Sequence, residues 1–372
     1  MIIGIPREIK KDEYRVAMLP VGAQLLTEDG HSVVIESEAG LGSGYDDTSY
    51  SKVGAEIVET AEDIFTQADL IIKVKEPQQR EIAKLQKEQI VFCFFHFAGS
   101  KELTIACLDK QITAVAYETL TDEYNRLPLL TPMSEIAGKM AIQEGAKYLE
   151  KPMMGQGILL GGVPGVEPAQ VLILGGGVVG YNAARVAAGL RANVTIMDIN
   201  LDRLRYLDEI LPPNVTTIYC DPHAVEYYAR EADLIIGAVL IPGGKAPILI
   251  NRNHLKTMKK GSVLVDVSID QGGCFESSHP TTHSDPIFIV DGIVHYCVTN
   301  MPGAVGRTSS HALCNATLSY CRELANLGLD LFAKQSKGRA AAINMQDGKI
   351  LSPAVAKVFP DLPKAERSKF DH

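Results

Sequence analysis

What this chain lacks narrows its reading before any motif does. No apolar run reaches the roughly 18 residues that suggest a spanning helix, and the start, MIIGIPREIKK, has no apolar stretch behind a basic one. A membrane span and a secretory leader are therefore not expected, and the cytoplasm is the default compartment. There is no long Lys/Arg run, and the formal net charge is -9. That argues against a nucleic-acid or anionic-membrane partner and leaves a small molecule as the expected ligand. The seven cysteines, Cys93, Cys107, Cys220, Cys274, Cys297, Cys314 and Cys321, show no CxxC or metal-like spacing. They read as reduced thiols, mostly buried, with no structural metal. No short-period repeat or low-complexity tract is evident.

What is present is the balance of a soluble globular protein, 46% apolar and 22% charged. At 372 residues the chain is too long for one ordinary core, so two domains are expected. Short β-rich runs at Ile2–Ile5, Ser32–Ile35, Leu70–Val74, Ile90–Phe95 and Ile112–Ala116 alternate with segments of helical period such as Ala61–Gln67 and Lys101–Leu108. A second series comes after the Gly/Pro-rich stretch Gly161–Gly165, with strands at Val171–Leu174, Asn193–Met197, Thr216–Tyr219, Leu234–Gly237 and Ser262–Val265. The alternation predicts two α/β domains, each around a mostly parallel sheet. Ser134–Leu149 is a long helical pattern suited to connecting them, and Ser309 to about Gln335 is another that could return to the first.

The densest signal is Val171-Leu-Ile-Leu-Gly-Gly-Gly-Val-Val-Gly180. It sets Gly175, Gly177 and Gly180 in GxGxxG spacing between an apolar strand and the helical pattern Val178–Leu190. The first glycine permits a tight turn, the second lets backbone approach a pyrophosphate, and the third lets helix and strand pack closely. The next strand ends in Asp198, at the distance expected of a carboxylate gripping an adenosine ribose. Such an acid repels a 2′-phosphate, so NAD is expected over NADP. Arg203 and Arg205 lie on the next helix, where a solvated face is the ordinary reading, and Arg203 is kept as a cofactor candidate.

A nicotinamide cofactor needs a substrate that exchanges a hydride and a group that handles the accompanying proton. Four residues near predicted strand ends qualify. Arg15, soon after the first strand, could grip a carboxylate through two hydrogen bonds. Lys75 ends the run Leu70-Ile-Ile-Lys-Val-Lys75, two residues before Pro77. His96 comes directly after the apolar run Ile90–Phe95, and Asp270 stands beyond Ser262–Asp266 with Gly272 and Gly273 after it. Each alone has a bland reading as surface charge or core histidine. One carboxylate beside a dinucleotide, with three basic groups from the other domain, is what an α-amino or α-keto acid reaction requires.

These residues also carry a resemblance running the length of the chain. It includes Gly4-Ile-Pro-Arg-Glu-Ile-Lys10, Glu13–Val16, Val74-Lys-Glu-Pro77, Phe95-His96, Leu130–Glu135, Gly175–Gly180, Ser268–Glu276, Ser278–His283 and Val298-Thr-Asn-Met-Pro-Gly-Ala-Val305. The sequence resembles the alanine dehydrogenase family, which includes the nucleotide-binding part of the proton-translocating transhydrogenase. Asp-Gln-Gly-Gly at 270–273 points to the soluble dehydrogenases.

The resemblance implies two Rossmann-like doubly wound domains with an inter-domain catalytic cleft, linked by long helices. Residues 1–129 and 308–372 would form the substrate domain and 130–307 the NAD-binding domain. Arg15 and Lys75 would hold the carboxylate and keto oxygen of the substrate, Met133 would line its pocket, and His96 and Asp270 would serve the acid/base steps, either being a candidate for the principal base. Ser134 and Asp198 would contact NAD, with Asn300 and Met301 near the nicotinamide. Cys220 stands where relatives commonly have serine near the adenosine, and Gly306 and His311–Cys314 depart from the usual pattern. L-alanine, pyruvate and ammonium would be the substrates, and a homohexamer the assembly. The rivals are an opine- or saccharopine-type dehydrogenase and a non-catalytic NAD(H)-binding or transhydrogenase-type module.

Overall fold

The computed structural model describes residues 1–239 and 246–365. The chain divides into two compact units, one of Met1–Met133 with Gly303–His372, the other of Ser134–Pro302.

In chain order the first unit opens with β1 (Ile2–Ile5), β2 (Ser32–Glu36), β3 (Glu56–Val58), β4 (Leu70–Ile72), β5 (Ile90–Cys93) and β6 (Thr113–Ala116). The second unit holds β7 (Gln170–Leu174), β8 (Asn193–Asp198), β9 (Val215–Tyr219), β10 (Leu234–Gly237), β11 (Val263–Asp266), β12 (Ile287–Val290) and β13 (Ile293–Tyr296). β14 (Ile343–Gln346) and β15 (Lys349–Ile350) belong to the first unit again.

The first sheet runs β15-β14-β6-β5-β4-β1-β2-β3, and β1 to β6 within it are parallel. The second runs β12-β13-β11-β10-β7-β8-β9, parallel apart from the β12/β13 hairpin. Reading each unit from its own first strand, both orders contain 3-2-1-4-5, the core of the doubly wound order, followed by the sixth strand, β6, in the first unit and by the seventh, β13, in the second; the reversal lies between β1 and β4 in one unit and between β7 and β10 in the other. Ligands in such folds sit beyond the carboxyl ends of the strands at that reversal, where the connections leave to opposite faces. Covered on both faces, the central strands are continuous apolar runs: Leu70, Ile71 and Ile72 are fully buried, as are Leu234, Ile235 and Ile236.

The strands expected from the sequence appear within two residues of their expected ends. β4 is assigned only to Ile72, yet Lys73 N–H to Phe92 O at 3.1 Å and Phe94 N–H to Val74 O at 3.1 Å carry the pairing on to Val74. The pattern Ser309 to about Gln335 is not one helix but two, Gly306–Leu327 and Leu329–Lys334. Gly328, at φ 73° and ψ 168°, cannot continue a helix, and it turns the chain between them. β3, β12, β13, β14 and β15 carry no alternation strong enough to be expected. Among the described residues no helix is long and apolar enough to cross a membrane. The seven cysteines are free, six of them buried and Cys220 half-buried.

Candidate active site

The glycine loop is built as its spacing demands. β7 ends at Leu174, and Gly175 takes φ +106°, a turn that a side chain rarely permits. Gly177 caps the Val178–Gly189 helix with no side-chain hydrogen bond, and a Cβ placed there would meet nothing within 4 Å. A Cβ on Gly180 would run into the Gly175 carbonyl. The first turn of this helix thus offers N–H groups without a capping side chain, beside open space at Gly177. That is the cradle a phosphate fills.

Asp198, at the end of β8, is tied to the loop. Its Oδ2 accepts the Gly176 N–H at 2.8 Å and its Oδ1 the Asn200 N–H at 2.8 Å. Arg203 is not the solvated charge of its ordinary reading: it donates from Nε to the Gly176 carbonyl at 2.6 Å and lies over the Tyr206 ring at 5.1 Å. The Cys220 N–H donates to the Asp198 carbonyl at 3.0 Å. Burial, then the charges of Asp198 and Asp221, push the Cys220 thiol up from its ordinary pKa.

Beyond β11 the chain winds into a 3-10 turn, Val267–Gln271, that carries Asp270 exposed. The acid built into the core is instead Asp266, fully buried at the end of β11. Its carboxylate accepts N–H bonds from Ser268 at 3.0 Å, Cys274 at 3.0 Å and Phe275 at 3.4 Å, and the Ser278 hydroxyl at 2.6 Å. Burial raises its pKa and these hydrogen bonds oppose the rise. Asp266 therefore clasps both ends of the loop on which Asp270 stands. Gly273, at φ 78°, lets that loop close, since a Cβ there would meet the Asp266 Oδ2 at 2.7 Å. In the same unit Asn300 takes φ 59° and its carbonyl accepts from His283 Nε2 at 3.4 Å, while Met301 is buried at the start of the 3-10 turn Met301–Val305. Ser134 is half-buried near the start of the Thr131–Tyr148 helix.

In the first unit Arg15 is 3% exposed and paired with Glu13. Nε donates to Oε1 at 2.6 Å and Nη2 to Oε2 at 2.5 Å, while Nη1 reaches the Met133 Sδ at 3.1 Å. The fork–fork pair fixes the guanidinium plane. The flanking backbone is pinned as well: the Val16 N–H donates to Ser310 Oγ at 2.9 Å and Ser43 Oγ to the Tyr14 carbonyl at 3.0 Å. Lys75 is buried to 9% exposure. Two residues before it, Lys73 is fully buried between Glu81 at 2.7 Å and Glu8 at 3.2 Å. Glu8 Oε1 also accepts the Val74 N–H at 2.6 Å, so this network holds the segment leading to Lys75. Burial drives Glu8 up to about 7, against the pull of Lys73.

His96 lies three residues past the end of β5, exposed, at φ 52° and ψ 41°. Its N–H donates to Glu118 Oε1 at 2.6 Å and the Phe95 N–H to Glu118 Oε2 at 3.3 Å. The apolar run Ile90–Phe95 predicts a histidine straight off a rigid strand; the left-handed turn redirects it. Within each unit, then, the structure brings together Arg15 with Met133, and Gly175, Gly177 and Gly180 with Asp198, Arg203 and Cys220. Glu13, Glu118, Asp266 and the Glu8–Lys73–Glu81 network carry no signal in the sequence that singles them out. Among the described residues no cluster of His, Cys, Asp or Glu could hold a metal ion.

Two family models match: alanine dehydrogenase/PNT, N-terminal domain, over residues 4–137, and alanine dehydrogenase/PNT, C-terminal domain, over residues 141–353. The chain is similar to the alanine dehydrogenase of Halomonas elongata, 51% identical over 359 residues, covering 96% of this chain and 97% of that one. It is 49% identical over 370 residues to the alanine dehydrogenase of Methanococcus maripaludis, covering 99% of each. Among solved structures it is similar to an L-alanine dehydrogenase, with a TM-score of 0.93 and 47% identity over 97% of this chain and 99% of that one. It is also similar to a transhydrogenase from Sinorhizobium meliloti, with a TM-score of 0.80 and 25% identity over 95% of this chain and 100% of that one.

Proposed function

This chain belongs to the alanine dehydrogenase/PNT family, and from that premise we propose that it catalyses the reversible NAD-dependent oxidative deamination of L-alanine to pyruvate and ammonia. The observation that carries the reading is near 50% identity with alanine dehydrogenases over 96% or more of both chains. The phosphate cradle at Gly175–Gly180 and the Arg15 and Lys75 cations support it.

The first turn of the Val178–Gly189 helix holds the pyrophosphate of NAD, with Gly177 leaving room for it. Asp198, already oriented by the Gly176 N–H, takes the adenosine ribose hydroxyls and disfavours a 2′-phosphate. Arg203 and Cys220 border the adenosine end, and Ser134, Asn300 and Met301 contact the cofactor elsewhere. When bound, the nicotinamide supplies a hydride acceptor. Arg15, pre-oriented by Glu13, and Lys75 hold the substrate carboxylate and later the keto oxygen beside Met133. From L-alanine with its amino group unprotonated, as at alkaline pH, transfer of the Cα hydride to a bound nicotinamide would leave an iminium, and the charge of Asp270 would favour that cation. Water adds to the iminium carbon, His96 or Asp270 takes its proton, and the carbinolamine collapses to pyruvate and ammonia.

In this reading Met1–Met133 with Gly303–His372 is the substrate-binding unit and Ser134–Pro302 the nucleotide-binding unit. A cytoplasmic homohexamer is the expected assembly. The deciding experiment mixes purified protein, NAD and L-alanine at alkaline pH and monitors NADH, with L-serine, L-lysine and NADP as comparisons. Rapid, NAD-specific and alanine-selective reduction is expected. NADH binding without reduction by any amino acid would favour the second reading, a transhydrogenase-type module, which the Sinorhizobium meliloti likeness supports at 25% identity against 47% for the dehydrogenase.

A further inference from the structure

We propose that Glu118 is a positioning residue for this reaction: its carboxylate fixes the backbone at Phe95 and His96 and so sets where the His96 imidazole points. The proposal deepens the assignment of His96 to the acid/base step and rests on it.

The key geometry lies where β5 and β6 stop pairing. Their parallel register ends with Cys93 opposite Ala116. β6 then winds into a 3-10 turn, Tyr117–Thr119, and β5 runs on through Phe94 and Phe95 to His96. Beyond a ladder, backbone N–H groups need new partners, and successive N–H groups of an extended strand face opposite ways. Here two consecutive N–H groups converge on one side chain, Phe95 on Oε2 at 3.3 Å and His96 on Oε1 at 2.6 Å. The convergence accompanies a left-handed His96, a conformation sparsely used by residues other than glycine and held only where the surroundings over-determine it. The His96 carbonyl closes the turn by accepting the Gly99 N–H at 2.8 Å.

The base under Glu118 is rigid. Tyr117 is fully buried, edge-on to Phe92 at 4.4 Å and to Phe94 at 5.0 Å between ring centroids, and Thr119 Oγ1 donates to Asn344 Oδ1 at 3.0 Å. The Phe94 ring in turn lies parallel to the imidazole, 3° between planes with centroids 5.8 Å apart. Core, 3-10 turn, carboxylate and backbone form one chain of support that ends at an exposed imidazole. Glu118 touches no reacting atom in this scheme; it acts through His96.

The test is a double-mutant cycle in the full-length protein: Glu118→Ala, Glu118→Gln, His96→Ala and the combined variants, with kcat and KM for L-alanine, the pH profile of kcat/KM, and NADH affinity by fluorescence. Glu118→Ala should lower kcat at least tenfold, alter the basic or acidic limb of the pH profile, and leave NADH affinity within twofold. Glu118→Gln keeps one acceptor oxygen and should recover part of the loss. On the His96→Ala background, removing the carboxylate should cost less than twofold more. An equal loss in both backgrounds would overturn the proposal, because Glu118 would then act independently of His96. So would wild-type turnover in Glu118→Ala. Full turnover in His96→Ala alone would instead remove the underlying role of the histidine, a result read from a different variant. If Glu118→Ala does not fold, the same cycle run with Glu118→Gln decides.

Discussion

Gly177 and Gly180 stand three positions apart and do different work, which gives the sharpest prediction at the scale of the residue. A methyl group at 180 collides with the Gly175 carbonyl, whereas one at 177 meets nothing of the protein. Gly180→Ala should therefore destabilise the fold by about 1–3 kcal/mol, the usual cost of overpacking. Gly177→Ala should unfold within about 0.5 kcal/mol of wild type yet bind NADH at least about tenfold more weakly, roughly 1.4 kcal/mol. Denaturant unfolding and fluorescence titration separate the two, and a Gly177→Ala protein with normal NADH affinity would remove the phosphate from that position. Asp198→Ser gives a second test. It removes the charge proposed to face the ribose and the carboxylate that accepts the Gly176 N–H, so kcat/KM with NAD should drop and the NADP-to-NAD ratio should rise. These residues are legible in the sequence because their partners are close in it or fall at a fixed spacing from it. Glu118 is not: it is as far from His96 as Asp198 is from Gly176, 22 residues, but no glycine motif fixes its spacing. Asp270 draws attention by its glycines, while Asp266, the acid that shapes the loop, looks like the last letter of a strand.

At the scale of the element, the buried Glu8–Lys73–Glu81 network couples the end of β4 to the segment after β1. Burial first, then the neighbouring charges of Glu81 and Glu13, raise Glu8 to about 7 from 4.5 despite Lys73. A carboxyl raised in the folded chain holds its proton more tightly there than in the unfolded chain. Its contribution to stability is whole below pH 4.5 and is lost as the pH rises through about 7. Glu8→Gln should flatten the fall in unfolding free energy between those two pH values, and an unchanged slope would show that Glu8 ionises normally. Lys73→Met, which strands two carboxylates without their cation, should cost about 3–5 kcal/mol. In the sequence Lys73 and Lys75 look alike, two lysines in one run. The ion pairs of Lys73 with Glu81, eight residues after it, and with Glu8, far before it in the chain, are visible only in the structure. The same limit hides the break at Gly328, where helical periodicity continues through a residue whose φ ends the helix, and hides β14, whose pairing partner β6 lies more than two hundred residues before it.

At the scale of the whole molecule, two sheets share the strand order 3-2-1-4-5 and differ in the residues that leave the first strand. After β7 come three glycines and a helix whose first turn has no capping side chain. After β1 comes Pro6, which has no N–H to offer, and Glu8, turned into the core toward Lys73. The open, uncapped helix start that suits a phosphate follows the first strand of the second unit and not that of the first, so topology alone would give two sites where local chemistry gives one. The two halves of the proposed chemistry should then fail separately. Arg15→Ala and Lys75→Ala remove the groups proposed to hold the substrate carboxylate, and each should lower kcat/KM for L-alanine by about 2 kcal/mol or more, roughly thirtyfold, as expected when charged hydrogen bonds to a substrate are lost. NADH affinity in both variants should stay within twofold of wild type, because the glycine loop, Asp198 and Arg203 are untouched. Gly177→Ala should show the converse, weak NADH binding, with alanine selectivity over serine unchanged at saturating NAD. Loss of NADH binding in Arg15→Ala comparable to that in Gly177→Ala would mean that the first unit helps to hold the nucleotide, and the division of labour between the two sheets would have to be redrawn.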